Sequence, residues 1–315
     1  MIEKLKIISA VILLSVLTSC GRTVRLMGEN NITTSAPVTT MRTTSSATTS
    51  VVEPPAEPTT PVPERVVIDT DMPENHEMKN SFVIDDFQTV MQEPELPTGC
   101  EITALTQTMN YYGFDVDKVE LCDVFMSIDH DGYYTMNEAY LGDPHATNGF
   151  GCNAPVIVST ANDYFEYIGS DWYAVDLTGI SLEEVFYQVE QGRPVVIWTT
   201  IGQRETHAEF QFELGCGEDF YFNPFQHCTT IYGYDYSKGT VHIADPLVGN
   251  TEYDMERFGR IYEVMESQAV ILVGNDETAG KVYSTEEDKK KWLDKNRPKE
   301  DEKEEAMEVN VEATE

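Results

Sequence analysis

Helix-type periodicity and strand-type periodicity are segregated along this chain, with the changeover at Pro194, and this constrains the fold more than any single motif. Before Pro194, Ile102, Leu105, Met109 and Tyr112 recur at helical spacing and end at Gly113, and residues 114–126 suggest a second short helix. Asn153 and Pro155 open a third helix that reaches Gly169, while Ser181 and Glu184 form a capping box for LEEVFYQVEQ, stopped by Gly192. Only Trp172 to Leu177 reads as a strand in that half; RVVID and SFVID, further upstream, are short β-like pieces with no chemical role. After the changeover come PVVIWTTI, HCTTIYGY, TVHIAD and QAVILV, with one short helix before the last. Helices followed by strands predict an α+β fold: a helical N-terminal part and an antiparallel C-terminal sheet.

The two ends cannot join that core. Residues 1–19 carry Glu3, Lys4 and Lys6 ahead of IISAVILLSVLT, too short to span a bilayer but suited to a signal peptide. Leu17, Thr18, Ser19 and Cys20 resemble the lipobox of bacterial lipoproteins, which implies lipidation at Cys20, attachment to the outer face of the bacterial cell membrane through lipid alone, and no transmembrane helix; an ordinary secretory signal with an incidental Cys20 is the alternative. Residues 20–64, dominated by Thr, Ser, Pro and Val, read as a tether of about 40 Å as a flexible coil. Residues 285–315 read as a charged tail, disordered or weakly helical, with Trp292 its only aromatic. That leaves residues 65–284 as one globular domain.

The domain is strongly acidic. The whole chain carries a formal net charge of −34, and residues 65–284 hold 38 acidic side chains against 9 basic ones. Such a charge repels nucleic acid and anionic lipid and concentrates cationic ligands.

The chemistry-bearing stretch is QEPELPTGCEITALTQTMNYYG, residues 92–113. Thr98 with Glu101 reads as a capping box, which puts Cys100 in the first turn of the helix, where the partial positive charge of the helix N-terminus favours thiolate. His227 begins a strand 127 residues later, and Asp245 lies on the next strand. A three-residue loop at Ser237–Gly239 would pair Tyr236 with Thr240 and set Asp245 opposite Ile231, on the face of His227. Cysteine, histidine and carboxylate are the parts of a nucleophile, a base and the group that orients the base.

Other candidates are weaker. Ser127 to Glu138 places Asp129, Asp131, Gly132 and Glu138 at calcium-loop spacing, but Ser127 stands where the first aspartate belongs, so a solvated acidic loop is expected. No histidine pairs with a cysteine at zinc-ligand spacing, so neither a metal nor another cofactor is expected. Cys122, Cys152, Cys216 and Cys228 are candidates for disulfides, with Cys228 pointing away from the site, and the aromatic stretch Gln203 to Phe225 suits either a groove wall or core packing.

The sequences LPTGCEITAL, GRPVVIW, HCTTIYGYD and IADP resemble the papain-fold cysteine peptidases of the bacteriocin-processing kind, family thirty-nine, in their stand-alone C39-like branch, over residues 80–273. The resemblance implies a papain-like cysteine peptidase fold with Cys100 as nucleophile, His227 as general base, Asp245 as its orienter and Gln92 as an oxyanion-hole donor. It implies a peptide or protein substrate, for which the domain's acidity points to a cationic or cell-wall peptide, but not leader-peptide cleavage, since transporter domains are absent from this sequence. The competing expectation is a papain-fold binding module that kept the residues without the activity.

Overall fold

A computed structural model describes residues 63–296. The signal sequence, Cys20, nearly all of the tether and the tail beyond Asn296 lie outside the described residues. In chain order the elements are β1 (Ser81–Val83), α1 (Cys100–Tyr111), α2 (Lys118–Phe125), β2 (Ile128–Asp129), β3 (Tyr140–Leu141), α3 (Ala154–Tyr167) and β4 (Tyr173–Asp176). They continue with α4 (Leu182–Glu190), β5 (Val195–Thr200), β6 (Glu209–Glu213), β7 (Asp219–Phe222), β8 (Gln226–Asp235) and β9 (Thr240–Asp245). Last come β10 (Gly249–Asp254), α5 (Met255–Val264), β11 (Ala269–Val273) and α6 (Glu286–Asn296). No helix among the described residues is long and apolar enough to cross a membrane.

The main sheet runs β10-β9-β8-β5-β11-β4 and is antiparallel throughout, with β1 added to the distal part of β8. Helices cover both faces. Val196, Trp198, Cys228, Val270 and Leu272 pack with residues of α1, α2 and α3, whereas Val195, Ile197, Ile231, Ile243 and Ile271 pack with Val185, Phe186, Phe258 and Tyr262 of α4 and α5. This is why the β5 sequence is an unbroken apolar and β-branched run, with all six residues buried. The capping box expected at Ser181 and Glu184 is present, and Gly113, Gly169 and Gly192 end their helices with positive φ.

The β8–β9 hairpin differs from the expected register. Asp235 pairs with Thr240 across a four-residue turn with Gly239 at φ +68°, not Tyr236 with Thr240. By itself that pairing would set Asp245 opposite Thr230, on the wrong face. A β-bulge at Tyr232, whose ring stacks on Phe87 with centroids 5.4 Å apart, shifts the ladder so that Ile231 pairs with Ile243 and Thr230 with Ala244. One further step puts Asp245 opposite Thr229, and the expected face is recovered by a different route.

Two segments gained structure beyond their sequence reading. Residues 209–222 form a separate hairpin, β6–β7, whose Phe212, Phe220 and Phe222 pack around Phe150, while Phe210 and Tyr221 stay exposed. The tail beyond Ser284 begins as α6, and Trp292 lies 5.1 Å from the Phe125 ring and 5.6 Å from Tyr167, centroid to centroid.

Candidate active site

α1 is fixed against the sheet by buried polar contacts rather than by apolar packing alone. Gln107 Nε2 donates to Thr230 Oγ1 (2.8 Å) and to the Ala244 carbonyl (2.9 Å), and the Thr230 hydroxyl lies 3.2 Å from the Ala104 carbonyl. These contacts tie one helix to β8 and β9 together. From Thr230 back to His227 is roughly 10 Å of strand, and from Ala104 back to Cys100 is roughly 6 Å of helix, so both chemistry-bearing residues stand at the same end of the clamp.

The histidine and the aspartate meet as expected. His227 Nε2 and Asp245 Oδ1 are 2.7 Å apart, and both residues are at most 2% exposed. Asp245 also accepts the Leu247 N–H at 2.8 Å and the Tyr253 hydroxyl at 3.0 Å. Burial pushes its carboxyl upward, but the hydrogen bond and positive charge of His227, with the other two donors, outweigh burial and hold it below the ordinary aspartate value. Since Nε2 is occupied by Asp245, Nδ1 is the ring nitrogen left for proton transfer.

Cys100 departs from the expected arrangement. The helix starts at Cys100 with Gly99 as N-cap, and the Thr98–Glu101 capping box does not form. The Thr98 hydroxyl donates instead into the Asp143–Ala146 turn, 2.9 Å from the Ala146 carbonyl. The Glu101 side chain is buried and finds other donors: the Cys152 N–H at 3.2 Å and the Cys100 thiol, whose Sγ lies 3.2 Å from Oε2. Among the described residues the Cys100 thiol thus donates to Glu101, and no hydrogen bond joins it to His227. Burial pushes the Cys100 thiol well above its ordinary value, and the charge of Glu101 and its hydrogen bond push the same way, with Asp245 adding to them; the Cys228 backbone N–H opposes them. The structure therefore brings Cys100, Glu101, His227 and Asp245 within electrostatic reach of one another, with the Cys100 sulfur against Glu101 rather than His227.

Gln92 is buried in the turn that leads into α1, its Nε2 donating to the Pro97 carbonyl at 2.7 Å with a second hydrogen to spare. Lys118 on α2 holds that turn, donating to the carbonyls of Met91 (2.6 Å) and Gln92 (2.9 Å) and pairing with Glu95 at 2.8 Å. Neither Lys118 nor Glu101 was identified from the sequence as part of the site. A lysine opening a short amphipathic helix looks solvent-directed, and Glu101 looked like half of a cap.

The remaining sequence candidates fall elsewhere. Cys122, Cys152, Cys216 and Cys228 are all free thiols rather than disulfides. Cys228 does not point away from the site: on the His227 side of the bulge, Cys228 and Thr230 face α1, and Cys228 packs in the same apolar cluster as Cys100. In the Ser127–Glu138 loop, Asp129 accepts the backbone N–H groups of Asp131, Gly132 and Tyr134, and Glu138 caps Thr135, so both carboxylates are engaged locally. Cys122, Asp123 and His145 converge outside zinc-motif spacing, with ligand atoms within 4.8 Å of one another, but His145 Nε2 is paired directly with Asp123 Oδ1 at 2.8 Å.

Comparison with known proteins places the chain in a family and a fold. Residues 84–270 match the family model described as the Peptidase_C39 like family. The uncharacterized protein YvpB of Bacillus subtilis is 29% identical over 189 residues, which cover 58% of this chain and 72% of that protein. A crystal structure of a Bacillus anthracis protein described as a C39-like peptidase superposes with a TM-score of 0.54 at 29% identity, covering 62% of this chain and 98% of that one. The peptidase domain of Streptococcus ComA, at 16% identity and a TM-score of 0.37 over 60% of this chain and 99% of that one, is too distant to assign any residue a role.

Proposed function

Because the chain belongs to the Peptidase_C39 like family and has its papain-like α+β fold, we propose that it is a cysteine peptidase that cleaves a peptide or amide bond through Cys100, His227 and Asp245, held at the bacterial cell surface by lipid on Cys20. The observation that carries this reading is the His227–Asp245 pair, 2.7 Å apart and buried, on the strands that clamp the cysteine helix. Asp245 fixes the imidazole so that Nδ1 receives the Cys100 proton, and the sulfur attacks the substrate carbonyl carbon. The oxyanion that forms is met by the spare N–H of Gln92 and the Cys100 backbone N–H, each contributing about 3 kcal/mol. As the tetrahedral species collapses, the C–N bond breaks and the imidazolium gives its proton to the leaving amine. Water then attacks the thioester with His227 as base, and the acid product leaves as the sulfur regains its proton. The acidic surface favours a cationic peptide or a cell-wall peptide as substrate.

One observation favours a second reading. A buried thiol that donates to Glu101 and not to His227 suits a papain-fold binding module without activity. The two readings separate on alkylation of the full-length chain with iodoacetamide across pH ~4 to ~9, a range that brackets activated cysteines. Selective labelling of Cys100 in the acidic half, lost in His227→Ala, is the expected result. An inert Cys100 sinks the catalytic reading.

A further inference from the structure

Glu101 follows the nucleophile directly, is 1% exposed, and takes no part in the steps above. The local backbone is nevertheless built to receive its carboxylate. Gly151, at φ +123°, comes so close that a Cβ there would overlap Glu101 Oε1. Next to it the Cys152 N–H donates to that same oxygen at 3.2 Å. The Gln226 amide nitrogen, buried without a partner, lies 3.3 Å from the position that Cβ would take. On the other side, Oε2 is 3.2 Å from Cys100 Sγ. A carboxylate so housed, in contact with the reacting sulfur, is placed to decide where the sulfur's proton resides.

We propose that Glu101 gates the nucleophile: as a carboxylate it accepts the Cys100 S–H and keeps the sulfur a thiol, and once it is protonated from solvent the Cys100 proton passes to His227. This rests on the cysteine-peptidase reading above. The step balances: the S–H bond breaks, an N–H bond forms on the imidazole, the extra proton on Glu101 comes from water, and nothing is oxidised or reduced. Electrostatics supply the reason. With Glu101 ionised, a thiolate would put three buried anions (Cys100, Glu101 and Asp245) around one imidazolium. With Glu101 protonated there are two, and the carboxyl becomes a hydrogen-bond donor toward the sulfur.

The titratable groups that bear on Glu101 are Cys100 on its own helix, Cys122 on α2, Tyr140 on β3, Cys152 just ahead of α3, and His227 and Cys228 on β8. Among these Glu101 is pushed above the ordinary glutamate value by burial, which the N–H of its own backbone, the Cys100 thiol, the Cys152 N–H and the charge of His227 only partly offset. The direction follows. Reactivity of Cys100 rises as pH falls through the raised Glu101 value, then declines at lower pH where the thiolate itself takes up a proton.

The test is the iodoacetamide rate at Cys100 of the full-length chain, wild type against Glu101→Gln, from pH ~4 to ~9. Glutamine keeps the shape and removes the charge. The expected result is an acid-side maximum in the wild type and, in E101Q, labelling that stays high through neutrality, exceeding wild type roughly tenfold or more at pH ~8, the equivalent of one unit of thiol ionisation. Superimposed profiles overturn the gate alone. A slower E101Q at every pH also overturns it, because Glu101 would then be the base that removes the proton. A Cys100 that labels in neither protein overturns the nucleophile reading and the gate together. Should E101Q fail to fold, wild-type protein carrying carboxyl-labelled glutamate is followed by ¹³C NMR. The expected result is a buried carboxyl that titrates over the interval in which the labelling rate changes, and the absence of one overturns the proposal.

Discussion

Replacing Asp245 separates its contribution to stability from its contribution to chemistry. Its carboxylate accepts three hydrogen bonds, from His227, Leu247 and Tyr253, at 2.7 to 3.0 Å. Asp245→Ala strands a buried imidazole and two further donors, and breaking a buried charged pair from one side costs about 3–5 kcal/mol. Asp245→Asn keeps the volume and one acceptor oxygen, so the cost falls to about 1–2 kcal/mol, the difference between a charged and a neutral hydrogen bond. Asparagine also no longer holds the imidazole with a charged hydrogen bond, so Cys100 alkylation should drop about tenfold in Asp245→Asn. The pH dependence has a definite sign. Asp245 is held below its unfolded value, about 3.9, so its stabilisation is present above that value and disappears as pH falls through the folded-state value. Urea unfolding midpoints of wild type and Asp245→Asn should therefore stay separated by a constant gap from pH ~7 to ~5 and converge below ~4. A gap that persists undiminished to pH ~2, or an Asp245→Ala protein as stable as wild type, would refute the reasoning.

Two further outcomes are expected. Lys118→Met leaves the Met91 and Gln92 carbonyls without their charged donor, so urea unfolding should register a loss of about 2–3 kcal/mol, and Cys100 alkylation should be perturbed because the turn ahead of it is no longer held. Ser181→Ala removes a complete capping box far from the site, which should lower stability by about 1 kcal/mol, or the melting temperature by about 3 °C, and leave the Cys100 alkylation profile unchanged.

The two capping boxes illustrate what the sequence could carry and what it could not. Ser181 and Glu184 formed the box because Ser181 is exposed, Glu184 is half-buried, and their side chains hydrogen-bond to each other and each other's backbone. Thr98 and Glu101 have the same spacing, but tertiary neighbours at Cys152 and Ala146 claimed their side chains, and no local pattern encodes that. The segregation of helices and strands, the buried β5 run and the pairing of His227 with Asp245 were legible, since each rests on periodicity or on adjacency in a hairpin. The β6–β7 hairpin was not. Its register shifts between Phe210 and Phe212, so its aromatics do not alternate cleanly between faces. Nor was β10 legible, whose sequence GNTEYD lies half-exposed at the edge of the sheet and lacks an apolar face.

The bulge at Tyr232 divides one hairpin into two stretches that keep separate counts. From Ile231 and Ile243 toward His227 and Asp245 the ladder serves the reaction, and from Gly233 and His242 outward it carries the turn and holds β1. An extra residue taken up at that joint lets the outer stretch grow, shrink or accept an inserted segment between Tyr236 and Gly239 without moving histidine and aspartate out of step. For a molecule that must keep two side chains within 2.7 Å of each other while its surface changes, such a joint confines sequence drift to the distal loop. It also marks that loop as the place to attach a reporter or an affinity handle.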